Sequence, residues 1–204
     1  MSAKNSRSFW VGVFVALKLL SSVALADPAV PVAPVDPKKI FEQAEKALDR
    51  QDFDYALKYY RQAAELNYTP AQVAMGKMAD AAQIYDEAVG WFLMAATQGD
   101  AAGQFSLARM YQEGNGIEKD EAKASYWYRR SAAQDYLPAV KGMAITYKSG
   151  GAGIKADPEK AKFWEAKAKR LEAIERKIVD EKLAAWAAEK KKLEEEEAAK
   201  KAKK

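Results

Sequence analysis

Leu107-Ala108-Arg109-Met110-Tyr111-Gln112-Glu113-Gly114-Asn115-Gly116-Ile117, followed by Asp120-Glu121-Ala122-Lys123-Ala124-Ser125-Tyr126-Trp127, reads as helix, tight turn, cap and helix. Glycine tolerates left-handed backbone angles, so Gly114 and Gly116 fit a turn that ends one helix. Asp120 stands where an N-cap belongs, its carboxylate placed to accept from the first free backbone N–H groups of the next helix. The same arrangement returns 37 residues on: Gly151-Ala152-Gly153-Ile154 precedes Asp157-Pro158-Glu159-Lys160-Ala161-Lys162-Phe163-Trp164, with Pro158 at the first helical position.

The second helix of this unit carries a stripe that occurs four times: Ala56-Tyr59-Ala63, Ala88-Trp91-Ala95, Ala124-Trp127-Ser131 and Ala161-Trp164-Ala168. Positions i, i+3 and i+7 lie on one side of an α-helix. The aromatics are 32, 36 and 37 residues apart, a period that marks a helical solenoid. Small residues let a neighbouring helix approach, and the aromatic is expected to fill the groove between helices. Upstream of each stripe lies a partner helix: Ala71-Gln72-Val73-Ala74-Met75-Gly76-Lys77-Met78 matches Gly103-Gln104-Phe105-Ser106-Leu107-Ala108-Arg109-Met110, and Ala139 to Tyr147 follows the same pattern. Each unit is thus two antiparallel helices that bury their apolar faces only against neighbours.

Leu107 to Ile117, Asp120, Lys123-Ala124 and Trp127-Tyr128-Arg129-Arg130-Ser131-Ala132 resemble a Sel1-like repeat, and Trp91 to Ala101 is similar to the second helix and exit turn of that repeat. The resemblance covers residues 52 to 168. It departs where the glycine loop is missing between Ala79 and Ala88, and the first unit, Ile40 to Ala64, reads more like a tetratricopeptide repeat. It implies an all-α, right-handed α/α superhelical solenoid of antiparallel helix pairs with a long C-terminal helix, and a role as an adaptor in protein complexes.

Residues 1–26 have the form of a secretory signal peptide: Lys4 and Arg7, an apolar run from Phe9 to Leu20, then Val23-Ala24-Leu25-Ala26 with small residues at −3 and −1. Lys18 leaves the run short for a membrane span. Cleavage after Ala26 is expected, which places the protein in a bacterial periplasm; an uncleaved inner-membrane anchor facing the periplasm is the alternative. Cleavage removes three basic residues and no acid, so the net charge falls from +4 to +1. Residues 27–37, with prolines at 28, 31, 34 and 37, read as an extended spacer. The repeat domain spans 38–178, and 179–204 form a charged helical tail.

From Pro158 to Lys204 there is no further proline and no glycine, enough for a helix on the order of 70 Å. Trp164, Leu171, Ile174 and Ile178 share a face that should cover the end of the solenoid. Val179, Leu183, Trp186 and Leu193 continue one residue out of phase, which argues against a regular coiled coil. Glu196 with Lys200 and Glu197 with Lys201 are four apart in the favourable order. The tail is a solvated helix or a contact arm that meets another helix, a membrane or the cell wall; Trp186, among alanines beyond the last repeat, marks it as a candidate contact.

The chain has no histidine and no cysteine. That removes Ser-His-Asp and Cys-His nucleophile pairs, thiol chemistry, disulfides, lipoprotein modification and the usual zinc sites. No serine is followed three residues later by lysine, and the glycine pairs follow helices rather than strands, which rules out dinucleotide or phosphate loops. Carboxylate-pair hydrolysis is left open by composition. No clustered basic face beyond the tail suggests nucleic acid. A non-catalytic protein-binding scaffold without metal or cofactor is the expectation. Its partner would lie on the concave face, where Gln72, Val73, Lys77, Gln104, Phe105, Arg109, Lys141 and Ile145 remain after packing positions are removed, with Lys77 and Arg109 forming a positive ladder. The other candidate is an envelope-tethered spacer whose lysine-rich tail makes the contact.

Overall fold

The computed structural model describes residues 36–202, so the expected signal sequence and most of the proline-rich spacer lie outside the described residues. Eight helices follow one another: α1 (Pro37–Asp49), α2 (Phe53–Glu65), α3 (Thr69–Ala81), α4 (Tyr85–Thr97), α5 (Ala101–Glu113), α6 (Glu121–Ala133), α7 (Leu137–Ser149) and α8 (Pro158–Ala202). They pair as hairpins α1/α2, α3/α4, α5/α6 and α7/α8, and each hairpin leans on the next, which is the expected all-α solenoid. The first helices of the two central hairpins, α3 and α5, also touch directly, which puts the first-helix side on the inner face.

The helix boundaries have local causes. Asp36, Asp52, Asp100, Asp120 and Asp157 each accept a hydrogen bond from a backbone N–H in the first turn of the helix that follows. Pro37, Pro70 and Pro138 open α1, α3 and α7. The Asp120 carboxyl is held below the usual range, first by the Lys123 N–H and then by the Lys123 side chain; Asp157 is lowered first by the Lys160 side chain and then by its N–H. Gly114 ends α5 in the left-handed region. Where α3 meets α4 without a glycine loop, Gln83 takes the left-handed conformation instead (φ 61°).

The recurring stripe divides its labour differently from the expectation. Its small residues, Ala56, Ala63, Ala88, Ala95, Ala124, Ser131, Ala161 and Ala168, are all buried, whereas Tyr59, Trp91, Trp127 and Trp164 are only half-buried. Helix contacts at the small positions are close: a Cβ on Gly103 would come within 2.6 Å of the Ala95 Cβ, and a ring packed in such a contact, that of Phe92, lies against Gly76, where a Cβ would come within 2.5 Å of it. Trp91, Trp127 and Trp164 instead lie at the flank of the core clusters.

The packed part of α8 ends at Glu172, and every residue from 173 to 196 is exposed. Ile174 and Ile178 therefore do not join the cover; each is 45% exposed. The reason is length. The thirteen residues of α7 span about 20 Å, which the first fifteen residues of α8 already match.

Candidate functional site

Equivalent positions of the inner helices carry the residues expected to face a ligand, and several turn inward. Gln72 and Gln104, the fourth residues of α3 and α5, are fully buried. Gln72 Nε2 donates to the Ala64 carbonyl (3.2 Å), and its Oε1 accepts from Gln98 Nε2 (2.8 Å). Gln104 repeats the arrangement with the Ala96 carbonyl (3.3 Å) and Gln134 (2.8 Å). Both glutamines satisfy the last turn of the helix before them; they are structural, and the expectation that they meet a partner is corrected. Val73 is buried as well. Phe105 packs tilted against Tyr128 and edge-on against Tyr136, with ring centroids 5.6 and 5.7 Å away.

The positive ladder also breaks. Arg109 is held by Asp80 across the α3–α5 contact (3.0 Å) and by Glu113 one turn on (3.3 Å). Lys77 is exposed, but its neighbour in the ladder is already neutralised.

The inner face opens at its C-terminal end. Lys141, Ile145 and Lys148 share one side of α7 at i, i+4 and i+7, facing Glu165, Lys169 and Glu172 of α8 across a groove of about 340 Å³. Ile145 is 66% exposed, high for a large aliphatic side chain at the centre of a groove. The rim is tied by Lys141 to Glu172 (2.7 Å) and Lys148 to Glu165 (3.9 Å). The Glu172 carboxyl is lowered, first by the Lys141 hydrogen bond and then by its charge. An apolar floor inside a ring of mixed charge suits an apolar side chain flanked by polar ones. The α8 contributors were missed from sequence; the signal was there in the 165, 169, 172 spacing, which repeats that of 141, 145, 148.

Trp186, 64% exposed, stands on the projecting part of α8 with Lys190 Nζ 5.6 Å from its ring centre. No described helix is long and apolar enough to cross a membrane.

The Sel1 repeat model matches residues 47–68, 83–100, 101–136 and 142–171, over half the chain. The chain belongs to the Sel1 repeat family. The first match begins within α1, so the first hairpin, which reads more like a tetratricopeptide repeat, also carries Sel1 character. A Sel1 repeat protein from Oxalobacter formigenes superposes with a TM-score of 0.60 at 30% identity, covering 65% of this chain and 56% of that one. A protective antigen of uropathogenic Escherichia coli strains with an SLR fold gives 0.61 at 29% identity, covering 66% and 30%. DAP3-binding cell death enhancer 1 of Rattus norvegicus is 31% identical over 100 residues, 48% of this chain and 20% of its own length. The chain spans between 20% and 28% of the lengths of the curated relatives it matches. Sel1 repeats generally mediate protein–protein interaction, and scaffolds built from them are typically non-catalytic.

Proposed function

We propose that this Sel1 repeat protein is an exported adaptor of the bacterial envelope that holds an extended segment of a partner protein in the α7–α8 groove. The observation that carries the reading is Ile145. Covering an isoleucine that is two-thirds open is worth about 1–2 kcal/mol, and the charged rim gives the segment its register. Export rests on the basic, apolar and Ala-x-Ala order of residues 1–26. The relative whose name includes "DAP3-binding" supports a protein as the ligand.

In-cell crosslinking followed by mass spectrometry tests both parts. A defined partner should be recovered from the wild type and lost with Ile145→Asp, an exposed change that leaves the fold intact. The mature N-terminus should be Asp27; any other start sinks the cleavage. A second reading is favoured by the wholly exposed stretch of α8 with Val179, Leu183, Trp186 and Leu193: an envelope-tethered spacer whose tail meets membrane or cell wall. It is the correct one if the partner survives Ile145→Asp and is lost on truncation after Arg176, or if salt-sensitive binding to anionic vesicles or sacculi takes its place.

A further inference from the structure

The outer face of α6 carries a groove of about 670 Å³ lined by Ser125, Tyr126, Arg129 and Arg130, with Glu121 and Gly153 at one end. Three observations set it apart. The first is a comparison within the chain. The same four positions of α4, 36 residues earlier, are Val89, Gly90, Leu93 and Met94. There the following loop presses down so hard that a Cβ on Gly116 would stand 2.4 Å from the Tyr85 backbone; over α6 the matching Gly153 leaves 3.7 Å to Glu121. Apolar positions beneath a tightly seated loop in one hairpin are polar positions beneath a looser loop in the next.

The second observation is Ser125. Its residue is 6% exposed, and its hydroxyl has no hydrogen-bond partner among the described residues. A buried hydroxyl without a partner is unfavourable, and a ligand acceptor reaching into the groove removes that cost.

The third is the state of the arginines. Neither Arg129 nor Arg130 has a carboxylate within ion-pair distance among the described residues, although acids pair with bases along most of the chain. Arg130 is positioned all the same: its Nη1 donates to Tyr126 Oη (2.9 Å), and its guanidinium lies 5.7 Å from both the Tyr126 and Trp127 rings. Its counterpart in α8, Lys167, is occupied with the Ala132 carbonyl. In the third hairpin that duty falls to Gln104 of α5, so Arg130 is not needed for it. Glu121 lies two turns away and faces Lys119 (3.9 Å).

We infer that the α6 groove is a second protein-docking site, distinct from the α7–α8 groove, which takes an acidic segment of a partner: a carboxylate sits between Arg129 and Arg130 and accepts from the Ser125 hydroxyl. Guanidinium pairs recognise planar carboxylates in two-point fashion, and the apolar stems of the lining residues suit the methylenes of glutamate.

The test is fluorescence anisotropy on the full chain with a fluorescein-labelled Gly-Glu-Glu-Leu-Glu-Glu-Gly peptide and its all-glutamine counterpart. The acidic peptide should bind, with the glutamine version and the R129E/R130E variant each weaker by about tenfold or more. Ser125→Ala should weaken binding about threefold or more without lowering Tm, since no protein contact is lost. Ile145→Asp should leave the peptide affinity unchanged, so failure here is separate from failure of the α7–α8 groove. Equal binding of both peptides, undiminished binding to R129E/R130E, or no binding at about 1 mM overturns the proposal. So does capture by phosphatidylglycerol vesicles in place of the peptide, which would make the surface a lipid contact.

Discussion

The third and fourth hairpins share the glycine turn, the aspartate cap and the small-aromatic-small stripe, and satisfy the same backbone carbonyl with different chemistry. In the third, Gln104 reaches from α5 to the Ala96 carbonyl and is steadied by Gln134. In the fourth, the matching pair is Val140 and Leu171, both in the apolar cluster, and Lys167 supplies the donor to the Ala132 carbonyl while pairing with Asp135 (2.6 Å). The fourth residues of the four first helices are Ile40, Gln72, Gln104 and Val140. Interior hairpins thus use a buried polar clasp, and the end hairpins use aliphatic packing. A polar residue recurring at repeat spacing is here a structural device.

The largest effect that sharpens this comparison concerns the two loops. Gly116 and Gly153 share a left-handed backbone (φ 66° and 69°), so either alanine substitution costs about 1 kcal/mol in conformation. Only Gly116 also abuts backbone, at 2.4 Å. Gly116→Ala should therefore lose about 3 kcal/mol or more by chemical denaturation, against about 1 for Gly153→Ala. Equal losses would mean that the two hairpins close alike and that the α6 groove is not held open by its loop.

Next comes the clasp. Gln104→Leu strands the Ala96 carbonyl and the inward end of Gln134, and should cost about 1–3 kcal/mol. Lys167→Met removes the corresponding donor in the last hairpin, but Lys167 is partly solvated and water can replace it, so about 1 kcal/mol is expected. A loss at Lys167 as large as that at Gln104 would undo the distinction between interior and end hairpins.

The order of helices and the pairing of hairpins were legible from sequence because the small residues at Ala56, Ala88, Ala124 and Ala161 recur at repeat spacing, the last two in register with glycine turns and aspartate caps, all of them local signals. The inner face was legible only in part. Gln72 and Gln104 look solvent-facing on a helical wheel, and the partners that bury them, Gln98 and Gln134, lie 26 and 30 positions away. Arg109 looks free until α3 brings Asp80 beside it. Lys141 and Ile145 were found because the groove they line is built from one α7 stripe, while its opposite wall comes from a helix that reads mainly as a cap and tail.

The smallest effect separates the same hairpins by pH. The eighth residue of α6 is Tyr128, whose hydroxyl donates to Gln112 (2.6 Å); the eighth of α8 is Glu165. Burial pushes the Tyr128 phenol up to about 12, and the charge of Glu113 adds to it against the opposing pull of Arg109. A phenol harder to ionise in the folded state contributes stability that is complete below the unfolded tyrosine value of about 10 and is lost as pH rises through about 12. Tyr128 is half-buried, so solvent screening reduces the effect to the order of 1 kcal/mol. Tyr60 in α2, raised by burial and by Glu45, acts in the same direction in the first hairpin. Denaturation at pH 9 and pH 11.5 should show the decline, and Tyr128→Phe should flatten it while Glu165→Gln leaves it unchanged. A decline that survives Tyr128→Phe together with Tyr60→Phe would place the alkaline weakness outside these hairpins, and the contrast between a buried phenol in the interior and a charged rim at the end would lose its energetic meaning.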